Sequence, residues 1–185
     1  DLDQLRTTFG ARVVSEAQRR DEVVGLFDRI APRYDLMNDL MSFGTHRGWK
    51  RVMVRRALAH LPENGVILDV SGGTGDIALG LRARVADREI VVVDPSRGML
   101  DIARKRGGDR LAYAEAPAEA LPFGDGIAGL VTLSFGLRNM ADPAAGLAEV
   151  ARVLAPGGAL VLLEFSRPAT WFAPFYGLHA RHVIP

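Results

Sequence analysis

The chain has 185 residues, 48% hydrophobic and 24% charged, which is enough for one folded domain with a core. Its 23 Lys and Arg balance 22 Asp and Glu, so the basic excess of a nucleic-acid surface is excluded. The absence of cysteine excludes a disulfide framework and a thiolate metal site and fits a cytoplasmic protein. The opening Asp1-Leu2-Asp3-Gln4 lacks the apolar stretch of a signal peptide, and no apolar run approaches the roughly 20 residues of a membrane-spanning helix.

The first 20 residues are polar and read as a loose helix or an arm. From Asp21 the pattern turns helical, with Val23, Val24, Phe27 and Ile30 on one face, until Pro32 interrupts it. Residues 34–44 are apolar for a loop, through Leu36, Met37, Leu40, Met41 and Phe43. They read equally as a greasy lid and as the packing of an N-terminal helix pair. A second helix is predicted over 45–60, ending before the turn Pro62-Glu63-Asn64-Gly65. The division expected is a helical arm and lid over 1–60 and an α/β unit over 61–185, forming one compact domain.

The middle of the chain alternates. Strands are predicted over 66–70, 89–94, 111–114, 127–134 and 159–165. Helices follow over 76–86 and from Met99, then over 143–154, and Pro156-Gly157-Gly158 reads as a forced turn. Strand, helix, strand, helix implies an α/β fold with a mostly parallel sheet and helices on both faces. Ligands bind such sheets at the carboxyl ends of the strands, and every candidate below lies at one.

The densest signal is Asp69-Val70-Ser71-Gly72-Gly73-Thr74-Gly75-Asp76. Glycines at a strand-to-helix turn let backbone approach a ligand closely. The segment satisfies G-x-G-x-x-A, so a dinucleotide site is the rival reading. A diphosphate wants bare N–H groups and positive potential at the helix start. Asp76 at that start repels phosphate and competes for the donors, and Asp69 adds a second negative charge. S-adenosylmethionine has no phosphate and carries a sulfonium and an ammonium, so it suits the turn better. Asp94, about 20 residues past the glycines at the next strand end, is placed to accept both ribose hydroxyls, or to cap the helix that follows.

Four further stretches carry a resemblance. They are Tyr34-Asp35-Leu36-Met37-Asn38-Asp39-Leu40-Met41-Ser42-Phe43-Gly44, His46-Arg47-Gly48-Trp49-Lys50-Arg51, Ala118-Glu119-Ala120-Leu121-Pro122-Phe123 and Ser134-Phe135-Gly136-Leu137-Arg138-Asn139. With the glycine turn and Leu154-Ala155-Pro156-Gly157-Gly158, they resemble the UbiE-type ubiquinone/menaquinone biosynthesis C-methyltransferases, a branch of the class I methyltransferases, over about 9–185.

The resemblance implies a Rossmann-like, seven-stranded fold, S-adenosylmethionine as cofactor, and methylation of a polyprenylated benzoquinol or naphthoquinol. It places cofactor contacts on Thr74, Asp94, Pro117-Ala118 and Ser134, and a role facing a phenolate on Arg138. Three departures stand out. Ser71 replaces a usual alanine or cysteine. Pro117 replaces a common asparagine and lacks a backbone N–H. The last two strands of the fold have no counterpart before Pro185.

The full set of candidates is therefore Asp69, Gly72, Gly73, Thr74, Gly75, Asp94, Pro117, Ala118 and Ser134 for the cofactor. Arg138, Asn139 and Asp76 are candidates for catalysis, and Tyr34, Met37, Phe43 and His46 for substrate. No metal site is expected, since His179 and His182 have no carboxylate at ligand spacing. The aromatic stretch 171–176 suits a lipid interface or packing. The partners expected are a lipid quinol and the inner face of a membrane, touched peripherally, and a homo-oligomer stays open. Two alternatives remain: the same fold acting on another small phenol, and a cofactor-binding subunit without activity.

Overall fold

The structure is a computed structural model that describes residues 8–9, 12–13, 15–42 and 44–164. The predicted sites Phe43, the aromatic stretch 171–176, His179, His182 and any closing strands lie outside the described residues.

A short antiparallel pair, β1 (Thr8–Phe9) and β2 (Arg12–Val13), precedes helix α1 (Glu16–Ile30). This helix starts earlier than predicted. Ser15 accepts from the Gln18 N–H, and the Gln18 side chain reaches back to the Ser15 N–H. That capping box makes helix of a stretch whose composition reads as a loose helix or an arm. After a single tight turn at Ala31–Arg33, α2 (Tyr34–Ser42) and α3 (Thr45–Ala59) follow. Residues 34–42 are thus helix rather than loop. Within the first 60 residues, α3 buries Met53, Val54 and Ala57 in the core cluster beside the sheet.

Five parallel strands follow: β3 (Val66–Val70), β4 (Ile90–Asp94), β5 (Ala112–Glu115), β6 (Ala128–Ser134) and β7 (Leu154–Leu163). Helices α4 (Asp76–Arg82), α5 (Arg97–Gly107) and α6 (Pro143–Val153) connect them. The spatial order is β5-β4-β3-β6-β7. The chain winds outward from β3 to β5, then crosses back to β6 and β7, so the direction reverses beside β3.

Alternation along the strands divides the core. Ile67, Ile90, Val92 and Leu130 pack with Leu81, Leu100 and the buried face of α3. On the other face Leu68, Val70, Val131 and Leu133 pack with Val150 and Val153 of α6. Burial on both faces explains why these strands are nearly unbroken apolar runs. The predicted Pro-Gly-Gly turn is instead part of β7. Ala128 pairs with Leu154 and Leu130 with Ala159, so residues 155–158 bulge opposite Gly129 without ending the strand.

Gly129 itself faces the turn before β3. A Cβ there would strike the Asn64 carbonyl and lie 3.2 Å from the Arg88 guanidinium. Arg88 holds that turn by donating to the carbonyls of Pro62 (2.7 Å) and Gly65. Because backbone rather than a flexible side chain must yield, Gly129→Ala is expected to cost about 2 kcal/mol. Thermal melting should then fall by about 5 °C. An unchanged melting temperature would refute the close approach.

Candidate functional site

The register aligns Val70 with both Val93 and Leu133, so β3, β4 and β6 end side by side. Ser71, Asp94 and Ser134 therefore meet at one edge of the sheet, beside the topological reversal. They border a cavity of about 70 Å³ together with Gly73, Pro117 and Asn139. Two residues just past the strand ends, Ser71 (φ 52°) and Phe135 (φ 56°), hold left-handed backbone despite carrying side chains. Such strain costs of order 1 kcal/mol or more and concentrates at functional sites. It cannot relax at Gly136, where an added Cβ would press on Ser71.

Only one of the three loop glycines serves the cavity. A Cβ on Gly72 would lie 2.8 Å from the Asp69 carbonyl and from Val92, and one on Gly75 would lie 3.3 Å from Ala103, so these two serve packing. At Gly73 a Cβ would meet nothing within 4 Å, and this residue borders the cavity. Its N–H donates to Asp94 Oδ2 at 2.9 Å, while Ser96 N–H donates to Oδ1 at 2.9 Å. Burial pushes the Asp94 carboxyl up to about 6 against these two hydrogen bonds.

The other acids of the turn are not where the sequence suggests. Asp69 is sealed beneath the loop, accepting from Thr132 Oγ1 at 2.7 Å and from Ala78 N–H at 3.1 Å. Burial raises its carboxyl to about 6 as well. Asp69, not Asp76, thus takes a donor of α4. Asp76 turns away, pairing with Lys50 (2.7 Å) and Arg106 (2.5 Å). Burial opposes its charge, but these two cations outweigh it and hold the carboxyl below the usual range. Thr74 is buried, and its hydroxyl receives a 3.0 Å bond from Arg106. Neither Asp69, Asp76 nor Thr74 borders the cavity.

The charge character survives through different residues. Asp94 and Glu119 border the cavity, and no Lys or Arg side chain among the described residues does. Glu119, missed as a site residue, accepts from the Asp142 N–H at 3.0 Å, while Ala118 beside it is buried against Gly146. Ser134 Oγ is buried with no hydrogen-bond partner among the described residues. Two acids, an open glycine and an orphaned hydroxyl fit a cationic nucleoside such as S-adenosylmethionine, and fit a diphosphate poorly.

Helix α1 covers the cavity, and Tyr34 is the one described side chain of the 34–44 segment, read equally as lid or helix packing, that borders it. Val23, Val24 and Phe27 close one side, with Tyr34 edge-on to Phe27 at 6.0 Å. The helix is latched at both ends. Buried Arg19 donates to the carbonyls of Arg138 (2.8 Å) and Met140. Asp28 Oδ1 accepts from Ser96 Oγ at 2.5 Å and Gly98 N–H at 3.0 Å.

Of the remaining candidates, Tyr34 borders the cavity and half-buried Met37 does not. His46 is buried elsewhere, its Nδ1 2.7 Å from Ser42 Oγ, and burial pushes its imidazole pKa down. Asn139 borders the cavity and donates to the Phe135 carbonyl at 3.1 Å. Arg138 lies on the same turn, paired with Glu164 at 2.8 Å. Asp142, a few residues on, caps α6 through the Ala144 and Ala145 N–H groups. Glu164 was missed, although it directly follows the last described strand and the strand-end rule would have found it.

Two buried carboxyls raised to about 6 set the direction of the pH response. An unfolded aspartate releases its proton near 3.9. Between about pH 4 and 6 the folded chain holds protons that the unfolded chain has lost, so stability falls as pH rises through that window and stays reduced above it. The ion-paired Asp76 and Asp39 act with the opposite sign at lower pH, and buried His46, whose imidazole pKa is pushed down, opposes within the window itself because the unfolded chain protonates it first. The two raised carboxyls are each expected to contribute about 1 kcal/mol of gain between pH 7.5 and 5.5, with His46 offsetting part of it. Melts of wild type and Asp69→Asn check this: the variant should lose part of the gain, and equal gains would refute the assignment.

Phosphoethanolamine N-methyltransferase 1 of Haemonchus contortus, solved with phosphoethanolamine and S-adenosylhomocysteine, shares this fold. The TM-score is 0.66 at 18% identity, over 85% of this chain and 36% of that one. The ubiquinone/menaquinone biosynthesis C-methyltransferase UbiE of Rubrivivax gelatinosus is 45% identical over 181 residues, covering 98% of this chain and 70% of the relative. That of Xylella fastidiosa strain M23 is 47% identical over 186 residues, covering 97% and 73%. The sequence profile of one family matches residues 12–185, spanning the glycine turn, the acid-lined cavity and the Arg138 turn: the chain belongs to the ubiE/COQ5 methyltransferase family.

Proposed function

We propose that the chain methylates a ring carbon of a polyprenylated quinol, with S-adenosylmethionine as donor. Membership of the family and relatives named for ubiquinone and menaquinone biosynthesis support the reaction class. The observation that carries the cofactor reading is the cavity bordered by Asp94 and Glu119 without a cation. When bound, S-adenosylmethionine supplies an activated methyl group, and the protein supplies position and environment.

Asp94, braced by the Gly73 and Ser96 N–H groups, presents its remaining lone pairs to the two ribose hydroxyls. Gly73 lets the nucleoside lie against backbone. Ser134 Oγ gains its missing partner from the cofactor. Tyr34 and the apolar face of α1 close over the ligand and exclude water, which strengthens each polar contact inside. Pro117 offers no N–H, so the adenine is held at that point by shape rather than by a backbone donor.

A quinol ring carbon becomes nucleophilic when the neighbouring hydroxyl loses its proton. Arg138 stays protonated and cannot serve as the base. Its guanidinium stabilises the phenolate, and Glu164, 2.8 Å away, is the carboxylate on hand to receive the proton. Asn139 orients the ring from the cavity side.

The test is incubation with methyl-labelled S-adenosylmethionine and a reduced demethylmenaquinol or demethylated ubiquinol analogue, with the product mapped by mass spectrometry. Label on a ring carbon is expected. Label on oxygen, or on neither quinol while S-adenosylhomocysteine still binds, would overturn the proposal in favour of another phenolic acceptor or a non-catalytic subunit.

A further inference from the structure

Outside the cavity, one helix stands out for an unbalanced cationic charge. Helix α3 carries Arg47, Lys50, Arg51, Arg55 and Arg56 and no acid, although the whole chain is only +1, so the remainder is net acidic. Its buried face uses Met53, Val54 and Ala57, which leaves the cations on or beside the solvent face. Arg51, Arg55 and Arg56 are exposed and make no ion pair among the described residues. Among them stand two large apolar side chains, Trp49 (41% exposed) and Val52 (45% exposed).

The flank of this helix deepens the same field. A cleft of about 250 Å³ separates α3 from α4, and Arg84 and Arg106 add cations from its far wall. The one acid bordering it, Asp76, is already matched by Lys50 and Arg106. A helix with a cationic solvent face and a tryptophan at its edge has the character of one that lies in a bilayer interface. Anionic headgroups complement its charge, at about a fivefold gain in partition for each Lys or Arg near the surface. A small soluble anion would have no use for exposed Trp49 and Val52.

We infer that α3 docks the protein on an anionic phospholipid surface, with lipid phosphates drawn to the α3–α4 cleft. Trp49 also meets Phe135 edge-on at 6.4 Å, and Phe135 borders the cavity. The docking face therefore adjoins the site, which is where a quinol drawn from the bilayer must arrive. The link to substrate rests on the proposed quinol reading; the docking itself does not. Among the described residues no helix is long and apolar enough to cross a membrane, and peripheral docking requires none.

The experiment is co-sedimentation with vesicles of phosphatidylcholine alone and of phosphatidylcholine mixed with phosphatidylglycerol. Wild type is expected to pellet with the mixed vesicles only and to be released by high salt. Arg51→Glu with Arg55→Glu should lower partition by roughly a hundredfold or more, with unchanged turnover of a short-tailed, detergent-dispersed quinol. If that pair melts early, Arg51→Gln with Arg55→Gln serves in its place. Equal binding to both vesicles, a folded double variant that partitions like wild type, or retention of RNA in place of vesicles would each overturn the inference. A wild type that binds the mixed vesicles yet methylates no quinol would sink the quinol reading and leave docking intact.

Discussion

Asp94→Ala is expected to weaken S-adenosylhomocysteine binding by roughly two orders of magnitude, read by titration calorimetry. An ionised carboxylate that accepts from two hydroxyls makes charge-assisted bonds, each contributing about 1.5–3 kcal/mol. Alanine also leaves the Gly73 and Ser96 N–H groups without their acceptor, so the loop loses the brace that shapes the cavity. Asp94→Asn should fare little better. Both carboxylate oxygens receive a backbone N–H, and the amide would turn its own N–H₂ toward one of them. Low pH should reproduce part of the loss in the wild type. Because the Asp94 carboxyl sits up at about 6, wild-type affinity should decline as pH falls through 6, while that of Asp94→Ala should not. Unchanged affinity in the alanine variant would remove Asp94 from the ribose.

Arg138→Ala should lower the rate of methyl transfer by roughly two to three orders of magnitude, the range for losing one charge-stabilising donor. Binding of S-adenosylhomocysteine should be unaffected, because the side chain does not border the cavity. The fold should survive too. Arg19 holds this turn through backbone carbonyls, which the substitution keeps. A merely structural arginine would predict the reverse: a lowered melting temperature through loss of the ion pair with Glu164, with turnover on quinol retained. Arg138→Lys separates the cases further, since a restored charge without the planar fork should rescue part of the rate.

Period and turn chemistry made most of the fold legible. The first four strands of the sheet came out within a residue because their apolar runs are buried on both faces, whereas the fifth starts five residues earlier than predicted. The errors have local causes. The Ser15–Gln18 capping box extends a helix whose polar composition hides it. Residues 155–158 bulge within β7 because the neighbouring strand continues its hydrogen bonds past them. For residues 34–42, where lid and helix-pair packing were equal readings, the structure shows the helix.

The site was legible only in part. The sequence by itself determined the α/β class, the glycine turn at the end of β3, Asp94 at the end of β4 and the family. These are signals of spacing and strand ends, written within a few residues of one another. The tertiary structure alone decided which acids face the ligand. Asp69 and Asp76 flank the glycines in sequence but spend their charge elsewhere, one capping α4 from below and the other between Lys50 and Arg106. Glu119 takes their place, and α1 becomes the cover through Arg19 and Asp28, whose partners lie 121 and 68 residues away. The physical reason is range. Helix and strand periods act over a few residues, whereas the direction in which a carboxylate points is set by whichever cation or N–H the packed sheet brings beside it.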